Sequence, residues 1–285
     1  MGVSATNVKE LREKTGAGML DCKKALEEAF GDMSHAVEIL RKRGVALAAK
    51  KASRTAADGT LGYYYNDGGK LAALLEVNCE TDFVVKTDDF QDFVEKATRH
   101  LVHSKPNNLE TFLNSKLGGG TVNDHLSNLV GKIGENIQVR RFELWGANPP
   151  KEKIGFYLHV GNKIGVLVRF SDPDGKLSDA FAKEVAMHVA AMNPQYVRKG
   201  EIPKDVLEKE KEICRAQMDD KKPADIREKI LEGKLNKYLS DICLEDQIFV
   251  KDPQGKKSVV KCLQEVAPKV RIEKFVRLQV GEGIK

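Results

Sequence analysis

One structural pattern occurs twice in this chain, and it constrains the fold more than any other feature of the sequence. The segments GYYYNDGGKLAALLEV (62–77) and GFYLHVGNKIGVLVRF (155–170) each contain two runs of strand-forming residues joined by a glycine-containing turn. An amphipathic helix is predicted after each hairpin, at residues 89–103 and 181–191. The repeated hairpin and helix therefore indicate an internal duplication.

A closing strand is predicted for each copy, at residues 137–145 and 272–275. Each copy then has about three antiparallel strands covered by a helix. The predicted fold class is α+β, in which a duplicated core of small antiparallel sheets is backed by helices. One copy occupies residues 56–147 and the other occupies residues 148–285, and both follow a helical module at residues 1–55.

The N-terminal module is predicted to contain three helices. Asp32 is expected to cap the third helix and Gly44 to end it. Residues 45–57, which are rich in alanine and lysine and lack a strong apolar face, are expected to form a solvated helical connector. The inward-facing side chains of the third helix are predicted to be Met33, Ala36, Val37 and Leu40.

A highly charged segment at residues 203–238 interrupts the second copy. Apolar pairs seven residues apart, at 206–207 and 213–214, indicate a thin helical seam. The sequence Asp-Asp-Lys-Lys-Pro at 219–223 is expected to break the helix and form a turn. The segment therefore predicts an antiparallel helical hairpin that serves as an arm for contact.

The two copies differ most in the connection between hairpin and helix. The second copy has the polar turn SDPDGKLSD, whereas the first has NCETDFVVKTDD, which contains the apolar residues Phe83, Val84 and Val85. Thr81 or Asp82 is suited to capping a helical turn here, because a short side-chain oxygen accepts from free backbone N–H groups. Phe83 would then either be buried in the chain's own core or bind in a pocket of another protein.

Charge, cysteines and motifs argue against several classes of function. The 47 basic and 42 acidic side chains give a formal net charge of +5, which does not by itself require a nucleic-acid partner. The sequence contains no GxxxxGK[ST], GxSxG or HExxH motif. The five cysteines are widely spaced and form no CxxC pair, so we expect reduced thiols. We therefore expect no catalytic residue, cofactor, metal or directly bound nucleotide.

The sequence also bears on localisation. No apolar run approaches the roughly 18 residues that span a bilayer, so we expect no membrane partner. Helical patterning begins within the first ten residues, which argues against a signal or transit peptide. We expect a cytoplasmic protein, with a bacterial source favoured and a processed organelle protein left open.

A basic segment at residues 41–54 supports a competing function. Its basic side chains are Arg41, Lys42, Arg43, Lys50, Lys51 and Arg54. They are able to contact phosphates, as in an RNA-binding or ribosome-associated module. However, the segment has no aromatic residue on which bases would stack, and basic side chains more often only solvate a helix.

Several motifs together resemble the elongation factor Ts family of guanine nucleotide exchange factors. They are LREKTGAGMLDCKKALEEAFGD (11–32), EVNCETDFVVK (76–86), KIGENIQVRR (132–141) and VGEGI (280–284). The resemblance runs from Val8 to Ile284 and includes the duplicated core, the helical hairpin and a UBA-like N-terminal module. It implies a protein with no active site of its own. Such factors bind elongation factor Tu in its GDP-bound and nucleotide-free forms and promote GDP release, so that GTP can bind.

The resemblance also implies which residues contact elongation factor Tu. Asp82 and Phe83, with their neighbours Thr81 and Val84, match the segment that enters the partner's nucleotide domain near its magnesium and phosphate site. Three roles are open for Asp82: capping, direct contact with the partner, or disfavouring the ligand network of the metal. The other implied contact residues are Arg12, Met19, Leu20, Lys23, Ile133 and His159.

These further residues also have plainer interpretations. Met19 lies where it is able to extend the core stripe of its helix, whereas Leu20 lies off that stripe. Lys23 is by default a solvated charge. Ile133 would otherwise be an ordinary core residue, and His159 an ordinary turn residue.

Overall fold

The computed structural model describes residues 3–66, 68–217 and 223–284. Asp67 of the first predicted hairpin turn and residues 219–222 of the predicted arm turn lie outside the described residues. Among the described helices, none is both long enough and apolar enough to cross a bilayer.

The elements follow the predicted order. The N-terminal module consists of α1 (Ala5–Thr15), α2 (Met19–Glu28) and α3 (Met33–Lys51). In chain order, the first copy contains β1 (Asp58–Tyr65), β2 (Leu71–Cys79), α4 (Asp82–Val85), α5 (Asp88–Ser104), α6 (Leu109–Asn114), β3 (Lys116–Leu117), β4 (Gly120–Thr121), α7 (Val122–Ile133) and β5 (Ile137–Gly146). The second contains β6 (Glu152–Leu158), β7 (Ile164–Ser171), α8 (Asp179–Met192), α9 (Lys204–Ala216), α10 (Ala224–Ile242), α11 (Val259–Val266) and β8 (Arg271–Gln279).

Each copy forms a three-stranded antiparallel sheet in which the closing strand pairs with the second strand of the hairpin. The strand orders are β1–β2–β5 and β6–β7–β8. The register shifts between Glu76 and Val77 in the first sheet, and at the equivalent place, between Arg169 and Phe170, in the second. Because a bulge alters the local twist and strand direction, its recurrence at one position supports the duplication independently of residue identity.

The two sheets pack face to face through equivalent positions. The buried cluster between them consists of Leu61, Ala72, Leu74, Trp145, Ile154, Leu167 and Leu278. The backbone N–H of Leu61 donates to the carbonyl of Asn162 at 2.9 Å. At the equivalent positions of the other copy, the N–H of Ile154 donates to the carbonyl of Gly69 at 3.3 Å. The copies thus contact each other reciprocally, as subunits do across a two-fold axis.

Helices cover the outer face of each sheet. In the first copy, α5 and α7 pack on the sheet through a core that includes Phe90, Phe93 and Leu129. In the second copy, α8 and α11 pack through Val185 and Leu263. The stretch between α5 and α7 contains α6 and the short β3–β4 ribbon, and α11 was not predicted from the sequence. The division of the chain at residues 56 and 148 stays a prediction.

The charged segment forms the predicted pair of helices, α9 and α10. Their base packs in a small cluster with Ile202, Leu239, Ile242 and Cys243 at its centre. Of the predicted seam residues at 213–214, Cys214 is buried, whereas Ile213 is exposed. The use of this pair as an arm for contact stays a prediction.

The third helix of the N-terminal module is longer than predicted. Asp32 caps it as expected, since its carboxylate accepts from the N–H of His35 at 2.8 Å. Gly44 does not end it, and the helix continues to Lys51. The prediction that Val37 faces inward is also wrong, because the side chain is exposed.

Gly44 permits a close helix crossing instead of a helix end. At this point α3 crosses α7, and a Cβ on Gly44 would stand 3.3 Å from the carbonyl oxygen of Ser127. Residues 45–51 are helical, as expected, and Ala48 among them packs against the core of the first copy. The crossing therefore fixes the N-terminal module against α7.

An ion pair between Arg41 and Asp124 reinforces this crossing. Asp124 also accepts from the N–H of Thr121 at 2.8 Å, which completes a capping box at the start of α7. The hydrogen bond from Arg41, together with that backbone bond, lowers the pKa of Asp124 to about 2. The folded protein is therefore stabilised above the unfolded pKa of about 3.9, and this contribution is lost as the pH falls towards 2.

We expect D124N to unfold at a lower denaturant concentration than the wild type at pH 7, because asparagine retains the cap but loses the ion pair. The difference should narrow as the pH falls from about 5 to 3, since the wild-type carboxylate loses its advantage there. Denaturant titrations at a series of pH values would measure this. A difference that is constant with pH would contradict the assignment.

Candidate functional site

The connection that distinguishes the first copy forms a compact turn between β2 and α5, which we call the TDFV turn after its residues 81–84. The turn begins where β2 ends at Cys79 and contains the single-turn helix α4. Phe83 projects from it with 75% of its surface exposed, whereas the next residue, Val84, is 5% exposed and belongs to the core. The alternative in which Phe83 fills the chain's own core is therefore wrong. Val84 lies where it anchors the turn rather than where a partner would reach it.

Thr81 occupies the capping position of α4, but its side chain does not cap the helix. Its hydroxyl donates to Glu135 Oε1 at 2.8 Å, and its backbone N–H donates to Glu135 Oε2 at 3.0 Å. The thiol of Cys79 donates to the carbonyl of Thr81 at 3.1 Å, and burial raises the pKa of this thiol to about 12. The expected Thr81 cap is thus replaced by a contact with a residue from a distant segment.

Asp82 and Lys86 flank the exposed ring. The Asp82 carboxylate accepts from Lys86 Nζ at 2.9 Å, one helical turn away, and both side chains are largely exposed. The same ammonium lies 5.6 Å from the centroid of the Phe83 ring, within the range of a cation–π contact. The surface of the turn therefore presents an apolar ring next to a carboxylate and an ammonium group that pair with each other. Capping does not occupy the Asp82 carboxylate, which leaves it accessible to a partner.

The segment between α7 and β5 joins this turn to its surroundings. The N–H of Asn136 donates to Glu80 Oε1 at 2.6 Å, next to the bonds between Glu135 and Thr81. The Asn136 side chain donates to the carbonyl of Arg54 at 2.7 Å. We call the bonds between residues 80–81 and 135–136 the cross-tie. Asn136 therefore bonds both to the TDFV turn, through Glu80, and to Arg54, which follows the last helix of the N-terminal module.

Lys132 connects the same region to the loop between α1 and α2. Its ammonium pairs with Asp89, in the first turn of α5, at 2.6 Å. A Cβ on Gly16 would stand 2.8 Å from Lys132 Nζ, so this loop of the N-terminal module packs on the lysine. Gly16 also has a φ of +70°, which favours glycine. The loop that leads to Met19 is thereby connected to the helix that follows the TDFV turn.

The predicted contact residues of the N-terminal module lie on its surface. Met19 is 46% exposed and Leu20 is 73% exposed, so the alternative in which Met19 extends the core stripe is wrong. Lys23 is exposed and lies 3.8 Å from Glu27 on the same helix. Arg12 is also exposed. The module therefore presents two adjacent apolar side chains and nearby cations to the solvent.

The other two predicted contact residues lie in different environments. Ile133 is half-buried and packs against the core of the first copy, at the end of α7 beside the cross-tie. His159 is exposed near the tip of the β6–β7 hairpin, where its Nδ1 lies 2.9 Å from the hydroxyl of Tyr157. The structure thus groups Ile133 with the TDFV turn and leaves His159 at a separate surface point of the second copy.

The basic segment of the competing function is mostly engaged in contacts within the chain. The side chains that pair with an acid or bond to a carbonyl oxygen are Arg41, Lys42, Arg43, Lys51 and Arg54. A phosphate would have to compete with each of these contacts. The arrangement therefore disfavours the RNA-binding alternative.

Sequence reasoning did not identify Glu135 or Lys132 as part of the site. A glutamate or a lysine near a helix end is ordinarily a solvated charge. One signal in the sequence was available to find them. Both residues lie in the motif 132–141, which resembles the family although its sequence alone suggested no structural role. Their contacts now supply one, since they hold the turn and the α1–α2 loop in place.

Comparisons with known proteins place the chain in a family. A family model described as elongation factor TS matches residues 80–282. The chain is 46% identical over 294 residues to elongation factor Ts of a Nitratiruptor species, covering 100% of this chain and 95% of that protein. The corresponding protein of Halothermothrix orenii is 44% identical, with 100% and 94% covered. The chain belongs to the elongation factor Ts family.

Members of the elongation factor Ts family are nucleotide exchange factors for elongation factor Tu and have no catalytic activity of their own. The relatives described above are bacterial, and the family is cytoplasmic. The prediction made from the motifs is therefore confirmed at the level of family, partner and class of activity.

Proposed function

We propose that Asp82 and Phe83 form the element of this exchange factor that enters the nucleotide domain of elongation factor Tu near its magnesium and phosphate site. The observation that carries the proposal is the 75% exposure of the Phe83 ring on a turn whose other contacts are fixed. Phe83 is exposed directly beside the buried Val84, so the turn is anchored in the core while the ring remains free to lose water against a partner. Burial against a partner accounts for this exposed position.

The energetics of such an insertion are favourable. Moving a phenylalanine side chain from water into an apolar pocket gains about 1.5–3 kcal/mol. This gain can stabilise a displaced conformation of the partner, because the ring is rigid and loses little conformational entropy. The partner's Mg²⁺ requires nearly ideal octahedral geometry, so a small displacement of its ligands weakens its hold on the phosphates.

The exposed Asp82 carboxylate would act at the same place. Because it pairs with Lys86 at the surface, it is able to exchange this partner for a donor on elongation factor Tu without leaving a buried charge unpaired. Direct contact therefore accounts for Asp82 better than capping does. If GDP weakens the binding of the exchange factor to elongation factor Tu, then the exchange factor must weaken the binding of GDP by the same factor.

Three further surface regions would supply the rest of the binding free energy. Met19 and Leu20, flanked by Arg12 and Lys23, provide an apolar contact with cations around it, which is the composition of many protein interfaces. Ile133 would contribute beside the TDFV turn, and the exposed His159 would extend the contact to the second copy. Thr81 and Val84 would act from within the chain, by fixing the turn.

A nucleotide-release assay tests the proposal. We expect substoichiometric amounts of the protein to accelerate the release of fluorescent GDP from elongation factor Tu, and the rate to increase in proportion to the amount added. Absence of acceleration would contradict the assigned activity. Acceleration that persists when both Asp82 and Phe83 are replaced by alanine would locate the activity elsewhere on the chain.

A further inference from the structure

We propose that Glu135 is a positioning residue for nucleotide exchange, which holds the TDFV turn in the orientation that lets Phe83 enter the partner. The inference rests on the proposed function of Asp82 and Phe83 and adds a residue from a different segment. Glu135 follows α7 and lies 54 positions from Thr81 in the chain. Glu135 would not contact elongation factor Tu itself but would act through Thr81.

The turn needs support from outside because it is too short to hold its own shape. Helix α4 has four residues, Asp82–Val85, and no side chain of its own caps the N-terminus. An isolated helix of this length is far below the 12–15 residues or so at which helices become even marginally stable in water. Its orientation must therefore come from the burial of Val84 in the core and from the residues at its two ends, and Thr81 is the residue at the N-terminal end.

Glu135 holds that end at two points. One carboxylate oxygen accepts from the Thr81 hydroxyl at 2.8 Å, and the other accepts from the Thr81 backbone N–H at 3.0 Å. Two bonds to one residue fix both the position and the rotation of its peptide unit, and bonds to a charged acceptor are stronger than neutral ones. The direction in which Phe83 projects, two residues further on, depends on that peptide unit.

Glu135 is itself held by its neighbours in the chain. Gly134 ends α7 with a φ of +83°, a conformation that favours glycine. On the other side, the backbone and side chain of Asn136 are bonded to Glu80 and Arg54 at 2.6 and 2.7 Å. A carboxylate carried by a fixed backbone can position another residue without reorganising, which is the arrangement expected of a supporting contact.

Replacement of Glu135 separates this role from a general effect on stability. Alanine removes both bonds to Thr81. Glutamine retains both, because its carbonyl accepts from the N–H and its amide donates to the hydroxyl oxygen. We expect E135A to slow the catalysed release of fluorescent GDP on the order of tenfold, and E135Q to remain within about threefold of the wild type. The control E95A removes an exposed carboxylate that pairs with Arg99 on the same helix, and it should match the wild type.

A second readout reports the position of the turn directly. Amide hydrogen exchange at Thr81 should become faster in E135A, since its N–H loses its acceptor, and should stay slow in E135Q. In the F83A background, E135A should reduce release by less than about twofold, because the ring that Glu135 positions is already absent.

The outcomes separate the two proposals. Normal GDP release by F83A would overturn the assigned function of the turn. Slow release by F83A combined with normal release by E135A would overturn only the role of Glu135. If the fold-reductions in GDP release caused by E135A and by F83A multiplied in the double variant, that role would also be overturned. Glu135 would then act independently of the ring.

Discussion

Replacing Phe83 with alanine is expected to slow the catalysed release of GDP from elongation factor Tu by about 10–100-fold. The same change should leave the free energy of unfolding of the exchange factor within about 0.5 kcal/mol of the wild type, because the ring is 75% exposed and makes few contacts within the chain. Fluorescent GDP release and urea denaturation of the same preparation would measure the two quantities.

The chain contains two matched controls for this variant. Phe30 is 97% exposed in the N-terminal module, and we expect F30A to alter neither quantity. Phe90 is completely buried beneath the sheet of the first copy, and F90A should cost about 3–5 kcal/mol of stability. If F83A behaved like F90A, the ring would be part of the core. If it behaved like F30A, the ring would be dispensable for exchange.

A loss of stability as large as that of F90A is expected when Glu76 is replaced by alanine. Its carboxylate is completely buried on β2 and accepts from Arg140 at 3.0 Å, from Arg141 at 2.6 Å and from the N–H of Gly281 at 2.9 Å. These bonds join the closing strand and the C-terminal VGEGI segment to the central strand. Removing the carboxylate leaves two partly buried arginines without their shared partner, which is expected to cost about 3–5 kcal/mol.

The pH dependence of this site has a definite sign. Burial alone would raise the pKa of Glu76, but the bonds from Gly281 and the two arginines outweigh burial and leave the pKa below its ordinary value. The carboxylate therefore stabilises the folded protein above the unfolded pKa of about 4.3, and this contribution is lost as the pH falls through the folded value.

Two comparison variants define the contribution of Glu76. E76Q retains the shape of the side chain but not its charge, so it should lose less stability than E76A. Because neither variant has a carboxylate at this position, the stability of both should depend less on pH below about 4.5 than the stability of the wild type. Glu273 is an exposed residue of β8, and E273A should stay within about 0.5 kcal/mol of the wild type. A loss below about 1 kcal/mol in E76A at pH 7 would show that the buried ion cluster contributes little net stability.

The motifs explain why the family and the main elements were predictable from sequence. The hairpins, the amphipathic helices and the Asp32 cap of α3 depend on contacts between residues close in the chain, and spacing encodes such contacts. The duplication was visible for the same reason. The exposure of Leu20 also followed from helical periodicity, since it lies off the apolar stripe of α2.

Other predictions failed where a distant segment decided the local structure. Gly44 has the sequence signature of a helix end, but α7 crosses α3 there, and the missing side chain serves the crossing. Thr81 has the signature of a cap, but Glu135 competes for its hydroxyl and N–H. In both cases a local propensity worth about 1 kcal/mol was outweighed by tertiary contacts.

The sequence by itself determined the order of the elements, the duplicated core and the segment that carries the TDFV turn, because these depend on periodicity and short-range capping. Only the tertiary structure decided that Val84 points into the core while Phe83 points out. It also decided that Glu135 bonds to Thr81, at the start of the turn. The physical reason is that the direction of a side chain on a four-residue helix is set by whatever holds its ends. Here the support at the N-terminal end comes from residues more than fifty positions away in the chain.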